Sequence, residues 1–295
     1  MLDAKFFSLQ ATLKSYGSAV IAYSGGVDSV FLAHVANGVL GTRAVAVIAD
    51  SPSLPRRELA EALAISQQFH FPVQVVKTSE FQDPNYTSNP LNRCYYCKHE
   101  LFNELIPIAK SRGISVIIYG ENASDLGDFR PGAQAAAEFN IRAPLKEVGL
   151  TKDEIRTLSA RFGLPTADKP QMACLSSRVP HGESVTVQKL SMIESAENTL
   201  RDLGFIDIRV RHHELAGTGL AASALAPLPN PATPKVPVAL ARIEVGTSEL
   251  PRLLDPAIST RITEALKRIG YQHVTLDLQG YRRGGANLST TATER

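Results

Sequence analysis

The sequence predicts an α/β protein in which a parallel sheet is followed by a smaller α+β domain. Three observations predict it: apolar runs alternate with helical patterns in the first half, a glycine-rich turn follows the first run, and two strands of alternating polarity follow residue 180. Strands that alternate with helices of this length favour a parallel sheet with helices on both faces. The predicted domains are 1–180 and 181–285, followed by a tail over 286–295.

The elements of the first domain are predicted from apolar runs, helical spacing and capping signals. In chain order they are strand 19–23, helix 30–39, strand 44–49, helix 55–69, strand 73–76, helix 97–111, strand 114–119 and a helix that opens with a capping box at 151–154 and ends near Gly163. Right-handed crossovers place the loops 24–29 and 120–130 along one edge of the sheet. Ligands of such sheets bind at that edge.

The second domain combines two helices with three strands. We predict helix 187–203, strands 206–212 and 238–245, helix 256–269 and strand 273–278. The two alternating strands are expected to be half-buried. Between them, 216–237 is rich in Pro and Ala and is interpreted as a disordered insertion in the hairpin.

Composition excludes several classes of protein. The chain of 295 residues carries 31 basic and 29 acidic side chains, which argues against nucleic acid as the main partner. No apolar stretch has the ~18–20 residues of a membrane span, and no signal-peptide pattern is present, so we expect a cytoplasmic protein. Two of the three cysteines form Cys94-x-x-Cys97, which in a reducing compartment favours metal or redox chemistry over a disulfide.

The turn Ser24-Gly25-Gly26-Val27-Asp28-Ser29 is the first candidate site. Its glycines let backbone N–H groups point at an anion, and the helix that follows adds a partial positive charge. The hydroxyls of Ser24 and Ser29 would donate hydrogen bonds, and Asp28 would hold Mg²⁺ on phosphate oxygens. The pattern lacks the Gly-Lys-Ser/Thr ending of a Walker A loop. We interpret it as a pyrophosphate-binding loop; the alternative is a plain strand–helix turn.

This hexapeptide resembles the signature of the PP-loop ATP pyrophosphatases. The resemblance implies that the loop binds the departing pyrophosphate while a substrate oxygen is adenylated by attack on the α-phosphorus of ATP. Asp50 and Gly120, which follow the second and fourth predicted strands, match nucleotide contacts of that superfamily. Asp125, Asp128 and Arg130 follow Gly120 and are interpreted as functional, the alternative being a polar surface loop.

Further motifs resemble the LarE family of ATP-dependent sulfur transferases across about 4–285. They are Arg93-Cys-Tyr-Tyr-Cys-Lys98, Asp128-Phe-Arg-Pro-Gly132, Cys174-Leu-Ser-Ser-Arg178, Arg209-Val-Arg211 and Leu276-Asp-Leu-Gln-Gly-Tyr-Arg282. The resemblance implies an adenine nucleotide alpha-hydrolase-like PP-loop domain with a small C-terminal domain. It also implies adenylation of the carboxylates of pyridinium-3,5-biscarboxylic acid mononucleotide, a step of nickel-pincer nucleotide biosynthesis and lactate racemase maturation, and their conversion to thiocarboxylates.

The cysteines determine how sulfur is delivered. Cys94, Cys97 and Cys174 match the three-cysteine branch of the family, which implies a [4Fe-4S] cluster with one iron lacking a protein ligand. In the one-cysteine branch, the residue matching Cys174 gives up its own sulfur, and this remains an alternative. Zinc with His99 or His181 as fourth ligand stays open, as does simple packing of the thiols.

The resemblance also assigns residues to the substrate and to charge neutralisation. Asp128, Arg130, Ser177 and Arg178 are predicted to line the substrate pocket, and Arg209, Arg211 and Arg282 to clamp its phosphate. Lys98 would neutralise phosphate charge. Glu197 and Glu244 match acidic positions of the second domain and are candidate metal ligands. The alternatives are a solvated sheet face for the arginines and solvated surface positions for the lysine and the glutamates.

The implied cofactors are the [4Fe-4S] cluster, ATP and Mg²⁺, and the implied partners are a small nucleotide substrate, sulfide or a sulfur-donor protein, and further copies of the chain in a homo-oligomer. Three different functions stay open: a tRNA thiolation enzyme of the same superfamily, a non-catalytic nucleotide- or metal-binding module, and an amidoligase that uses ammonia. A salt-sensitive tRNA complex would favour the first. ATP binding without pyrophosphate release would favour the second.

Overall fold

The computed structural model describes residues 2–125, 131–215 and 238–282. Contacts divide the chain into two compact units, Met1–Cys174 and Leu175–Arg295. The predicted insertion at 216–237, the predicted tail at 286–295, and Asp128 and Arg130 lie outside the described residues. Within the described ranges, no helix is long and apolar enough to cross a membrane.

The first unit is built on a parallel sheet. Its elements are α1 (Leu2–Tyr16), β1 (Ala19–Tyr23), α2 (Val27–Leu40), β2 (Ala44–Asp50), α3 (Arg56–Gln68), β3 (Val73–Lys77), α4 (Pro84–Thr87), α5 (Arg93–Ser111), β4 (Ile117–Tyr119), α6 (Pro131–Glu138), α7 (Pro144–Glu147) and α8 (Lys152–Arg161). The strands pair in parallel in the order β3-β2-β1-β4. The predicted parallel α/β sheet is therefore confirmed.

The sheet is apolar because both of its faces are covered. Ala19, Ile21 and Tyr23 of β1 pack into a core that includes residues of α1, α2 and α8. Val20 and Ala22 point to the opposite face and pack into a second core with residues of α5 and α6. Strands buried on both sides read as continuous apolar runs, which is how β1 and β2 were recognisable from sequence.

Several elements of the first unit differ from the prediction; α2, for example, begins at Val27 and not at 30, and α4, α6 and α7 were not predicted. Helix α1 was not predicted, because its fully buried residues are limited to Leu9 and Leu13 and its apolar periodicity is weak. Helix α5 begins at Arg93 and not at 97, because its first turn is polar and lacks the apolar spacing used to place it. Strand β4 covers Ile117–Tyr119 and not 114–119.

The second unit packs two longer helices against a three-stranded sheet. Its elements are α9 (Val187–Asp202), β5 (Ile208–Leu215), β6 (Val238–Val245), α10 (Leu250–Leu253), α11 (Pro256–Ile269) and β7 (His273–Leu276). Strand β6 is central, antiparallel to β5 and parallel to β7. The smaller α+β fold is confirmed.

Strand β5 is more deeply buried than its alternating pattern predicted. Ile208 and Val210 face the core of the unit, as expected. Arg209 and Arg211, on the other face, are only 6% and 8% exposed. The expectation of a half-buried strand was therefore wrong, because the arginine face is covered by the polar partners described below.

Candidate functional site

The glycine-rich turn between β1 and α2 has a backbone that requires glycine at its second position. Gly25 has a φ of +74°, in the left-handed region that favours glycine. A Cβ atom at this position would lie 2.7 Å from the Cβ of Ala62 in α3. Conformation and space therefore both exclude a side chain, and the loop passes close over α3.

Hydrogen bonds of two serine hydroxyl groups stabilise this turn. The Oγ of Ser29 donates to the carbonyl of Gly26 at 3.0 Å and accepts from the backbone N–H of Ser24 at 3.1 Å. The two serine Oγ atoms are 3.0 Å apart. Since α2 begins at Val27, the loop sits at the positive end of a 14-residue helix. A backbone arch at a helix N-terminus is the arrangement that binds phosphate groups in proteins.

Asp28 of this loop forms an ion pair with a lysine side chain. The Nζ of Lys152, at the start of α8, lies 2.5 Å from its Oδ2. An ammonium group at this carboxylate shows that the position accepts positive charge from outside the loop. Carboxylate and hydroxyl oxygens are the donors that Mg²⁺ prefers, so the residues here fit the predicted metal.

The predicted nucleotide contacts lie at the ends of β2 and β4, the two strands that flank β1. Gly120 follows β4, and a Cβ there would lie 3.0 Å from the backbone N of Ser29, so the loop after β4 lies against the pyrophosphate loop. Asp50 ends β2 and forms an ion pair with Arg56 of α3. Asp125 accepts from the backbone N–H of Asn122 at 3.2 Å and shapes the loop. Asp50 and Gly120 thus lie where the prediction needs them, and their nucleotide roles stay predictions.

The three cysteines all belong to the first unit. Cys94 and Cys97 lie three residues apart within the first five residues of α5, so they share a face of the helix. Cys174 is within electrostatic reach of both, because its charge raises the pKa of each. The structure therefore brings together thiols that are 80 and 77 positions apart in sequence (174 − 94 and 174 − 97).

The surroundings of these thiols oppose ionisation. Burial raises the pKa of Cys97 to about 12, and the charges of Cys174 and Glu80 act in the same direction. Desolvation raises the pKa of Cys94, although its side chain is the most exposed of the three. Lys98 projects beside the rings of Phe102 and Tyr119, and burial lowers its pKa. Both shifts favour the protonated forms of Cys94 and Cys97, and metal ligation would have to displace their protons.

Arg93, directly before Cys94, is a site residue to which the sequence analysis assigned no role. It is 4% exposed, and its guanidinium donates to Asn89 and approaches the Sγ of Cys174 at 4.0 Å. A buried guanidinium stabilises negative charge on a neighbouring sulfur. Its position in the Arg-Cys-x-x-Cys motif was a signal, but its contact with the distant Cys174 was not readable from sequence.

Glu80 is a second residue that sequence reasoning missed. It is 2% exposed, accepts a hydrogen bond from the hydroxyl of Ser51, and its Oε2 has no hydrogen-bond partner among the described residues. A buried, partly unsatisfied carboxylate is uncommon. Glu80 therefore places a buried polar group in the segment between β3 and α5.

The positions of the side chains bear on the predicted metal centre. Among the described residues, no three His, Cys, Asp or Glu side chains are grouped so as to hold one metal ion. In a [4Fe-4S] cluster each thiolate binds a different iron, so its ligands need not converge on one point. The donor set of three thiols with a buried arginine fits such a cluster.

Glu197 and Glu244, the candidate metal ligands of the second unit, are engaged by arginines. Both oxygens of Glu197 accept from Arg178 at 2.8 and 3.1 Å, and both side chains are fully buried. Both oxygens of Glu244 accept from Arg211 at 2.9 Å. These bidentate pairs compensate the buried charges, and the metal role stays a prediction.

Ser177 joins these two pairs. Its Oγ accepts from Arg178 at 3.1 Å and its carbonyl accepts from Arg211 at 2.9 Å. The predicted substrate residues Ser177, Arg178 and Arg211 therefore belong to one hydrogen-bonded group, in which both arginines are buried. The last two residues of the motif Cys174–Arg178 therefore take part in hydrogen bonds of the second unit.

Arg209 differs from its neighbours. Its guanidinium donates to the carbonyl of Ile208 at 2.6 Å and to the hydroxyl of Tyr281 at 3.3 Å, and stacks on that ring at 4.5 Å. Among the described residues it forms no ion pair with a carboxylate within 4.0 Å. Burial lowers its pKa, and Arg178 and Arg211 add like charge nearby. The charge of Glu197 acts on Arg209 only at a distance. A buried guanidinium without a direct carboxylate partner is suited to an anionic ligand.

Arg282 is not brought into this group by any contact that the structure gives. It is exposed and donates to Gln279. Its neighbour Tyr281 contacts Arg209 instead. Of the three predicted clamp residues, only Arg209 and Arg211 lie near each other among the described contacts, and the phosphate roles of all three stay predictions.

A parallel α/β sheet whose first strand runs into Ser-Gly-Gly-Val-Asp-Ser defines the class of PP-loop, ATP-using enzymes. Comparison with known proteins agrees. The chain is 41% identical to an uncharacterized protein of Synechocystis sp., with 99% of this chain and 100% of that protein aligned. It is 29% identical to the pyridinium-3,5-bisthiocarboxylic acid mononucleotide synthase of Lactiplantibacillus plantarum, over 99% and 97% of the two chains. The chain belongs to the LarE family.

A more distant relative supports the superfamily. The tRNA-specific 2-thiouridylase of Azorhizobium caulinodans is 29% identical over 65% of this chain and 58% of its own length. No protein-family model matches the chain.

Proposed function

We propose that this chain is an ATP-dependent sulfur transferase acting on pyridinium-3,5-biscarboxylic acid mononucleotide. It adenylates the substrate carboxylates with release of pyrophosphate and converts them to thiocarboxylates. The observation that carries the proposal is the alignment, over almost the whole of both chains, with a synthase named for the bisthiocarboxylic product. The proposal includes a cytoplasmic location, a sulfide or sulfur-protein donor and assembly into a homo-oligomer.

The first step uses the pyrophosphate loop. A carboxylate oxygen attacks the α-phosphorus of ATP, the bond from that phosphorus to the bridging oxygen breaks, and pyrophosphate leaves. The backbone arch at Gly25 and Gly26 and the N-terminus of α2 bind the leaving group. Asp28 would hold Mg²⁺, which supplies charge neutralisation on the phosphate oxygens. Positioning and neutralisation provide most of such an acceleration.

The second step uses the cysteines. A carboxylate is a poor electrophile, and the mixed anhydride with AMP provides a leaving group. A sulfur nucleophile attacks the acyl carbon and AMP departs, and the two carboxylates require two rounds. Cys94, Cys97 and Cys174 would hold a [4Fe-4S] cluster, which when bound supplies a transferable sulfide. Arg93 holds a positive charge beside Cys174 throughout.

The second unit supplies recognition of the acceptor in this proposal. Arg209 would bind the mononucleotide phosphate, because its buried guanidinium lacks a carboxylate partner among the described residues. Arg211 is held in place by Glu244 and by the carbonyl of Ser177. Arg178 is fixed by Glu197 and serves to support this group.

The test is a reaction with defined products. Anaerobically prepared protein is incubated with ATP, Mg²⁺, sulfide and the biscarboxylic mononucleotide, and pyrophosphate and the masses of the nucleotide products are measured. Pyrophosphate release that depends on the mononucleotide, together with one or two oxygen-to-sulfur exchanges, is expected. Pyrophosphate release that depends on tRNA instead would replace the proposal with the thiolation alternative, which the partial similarity to a 2-thiouridylase fits only weakly.

Iron content separates the two sulfur sources. Wild-type protein and Cys94→Ala, Cys97→Ala and Cys174→Ala variants are reconstituted without oxygen and assayed for iron, visible absorption and protein mass. Loss of iron in all three variants is expected. Iron-free wild-type protein that loses the mass of H₂S during turnover would instead identify Cys174 as a sacrificial donor.

A further inference from the structure

Lys152 places its ammonium group on the pyrophosphate loop. It is the first residue of α8, and its Nζ lies 2.5 Å from the Oδ2 of Asp28. The side chains are 25% and 17% exposed, so the contact is partly shielded from water. A lysine 124 positions along the chain thus becomes a neighbour of the loop.

The backbone at Lys152 is fixed by local bonds. Thr151 and Glu154 form the capping box that opens α8, with the N–H of Thr151 donating to Glu154 at 2.9 Å. The N–H of Lys152 donates to the Oγ of Ser124 at 3.0 Å. Ser124 belongs to the loop after Gly120, which itself lies against the pyrophosphate loop. The position of the ammonium is therefore set by the same edge of the sheet that would bind ATP.

A cation at this carboxylate occupies the place predicted for a metal ion. An ammonium and a divalent cation at the same carboxylate repel each other, so metal binding at Asp28 weakens its hold on Lys152. When the metal takes the carboxylate, Lys152 loses the partner it has here. The phosphates of a bound nucleotide would then offer compensating charge, which lysine binds as a point charge.

We infer that Lys152 is a further residue of the adenylation site. In the nucleotide-free protein Asp28 holds its ammonium group, and binding of the metal with ATP transfers that group to the polyphosphate. The charge then stabilises pyrophosphate as it leaves. This inference rests on the proposed function, because it assigns Lys152 to the adenylating half-reaction and to no part of sulfur delivery.

The competing explanation is an ion pair that merely ties α2 to α8. The chain offers a matched control for it. Lys5 of α1 pairs with Glu154 of the same helix α8 at 2.7 Å, with side chains 29% and 26% exposed. Lys5→Gln removes an ion pair of α8 that has no contact with the loop, whereas Lys152→Gln removes the one at Asp28.

The experiment compares wild type, Lys152→Gln, Lys152→Arg and Lys5→Gln in the full chain. ATP binding is measured by calorimetry with Mg²⁺ and with EDTA, and Mg²⁺ is titrated in the pyrophosphate-release assay. Circular dichroism checks that each variant is folded. Lys152→Gln is expected to weaken ATP binding in Mg²⁺ by about 10-fold or more, because one charge-assisted contact is lost.

Two further results are expected. Lys152→Gln needs less Mg²⁺ for half-maximal pyrophosphate release, because the competitor at Asp28 is gone, and Lys152→Arg recovers part of the ATP affinity. Lys5→Gln binds ATP and Mg²⁺ as the wild type does. ATP affinity and Mg²⁺ requirement unchanged in Lys152→Gln would overturn the inference alone. A wild-type protein that binds no ATP would overturn the proposed function as well.

Discussion

The guanidinium of Arg93 lies 4.0 Å from the sulfur of Cys174. Arg93 directly precedes Cys94 in α5, the helix that also carries Cys97. Arg93 opens α5 and Cys174 ends the first unit, so this contact joins the two segments that contribute thiols. It places a permanent positive charge where a thiolate or an iron–sulfur cluster would add negative charge.

Arg93→Gln is therefore expected to reduce iron retention after anaerobic reconstitution and to lower the free energy of unfolding by about 1.5–3 kcal/mol, the contribution of a hydrogen bond to a charged group. Arg93→Lys keeps the charge and is expected to retain more iron. Iron assay and urea denaturation measure the two effects. Arg142→Gln is the control, because its ion pair with Glu147 is half-exposed and contributes under about 1 kcal/mol. Wild-type iron binding by Arg93→Gln would contradict the electrostatic role.

Gly25→Ala is expected to damage the pyrophosphate loop for two separable reasons. The left-handed backbone costs about 1–2 kcal/mol, and contact with the Cβ of Ala62 adds about 1–3 kcal/mol. Gly17→Ala isolates the first cost, because Gly17 has a φ of +71° and open space around it. Adding Ala62→Gly to Gly25→Ala should recover much of the second. Urea denaturation and ATP binding measure both, and a cost of Gly25→Ala that is the same in the Ala62→Gly background as in the wild type would show that crowding is not the cause.

Substitution by Gln should lower the stability strongly at Arg178 and change it little at Arg209. Arg178→Gln leaves Glu197 buried without its bidentate partner and is expected to cost about 3–5 kcal/mol of stability. Arg209→Gln leaves no carboxylate unpaired and is expected to change stability by under about 1 kcal/mol while weakening phosphate binding. Denaturation and calorimetry with inorganic phosphate measure the two quantities. Equal loss of stability in both variants would assign Arg209 to structure alone.

His212 predicts how stability depends on pH. Burial lowers its pKa to about 4, and its ring lies 3.2 Å from the hydroxyl of Tyr271. The unfolded chain binds a proton near pH 6.5, whereas the folded chain does not until about pH 4, so stability present above pH 6.5 is lost as pH falls towards 4. The loss is about 2 kcal/mol at pH 5. His212→Gln should flatten the stability curve between pH 7 and pH 5 in urea denaturation, and an unchanged slope would assign the dependence to other groups.

Sequence patterns placed the parallel sheet well because its physics is local. Strand β1 was predicted at its observed limits, since both faces of Ala19–Tyr23 are buried and the run is apolar throughout. The glycine-rich turn was recognisable because Gly25 must adopt a positive φ. Helix α5 was placed four residues late, since its first turn carries site residues in place of apolar ones.

Contacts across the chain could not be predicted in this way. Lys152 reads as a polar residue in a capping box, and its pairing with Asp28 depends on how α8 packs beside the loop. Arg209 and Arg211 are equivalent in the strand pattern, yet Glu244 compensates only one of them in the described structure. Such differences arise from tertiary packing, which periodicity does not encode.

The division of the chain between Cys174 and Leu175 has an evolutionary consequence. The ATP-handling loop and every thiol are encoded upstream of it, and the arginines assigned to the acceptor are encoded downstream. Under the proposed function, exchange of the downstream gene segment alone would change the acceptor, while the loop and the thiols encoded upstream would be retained.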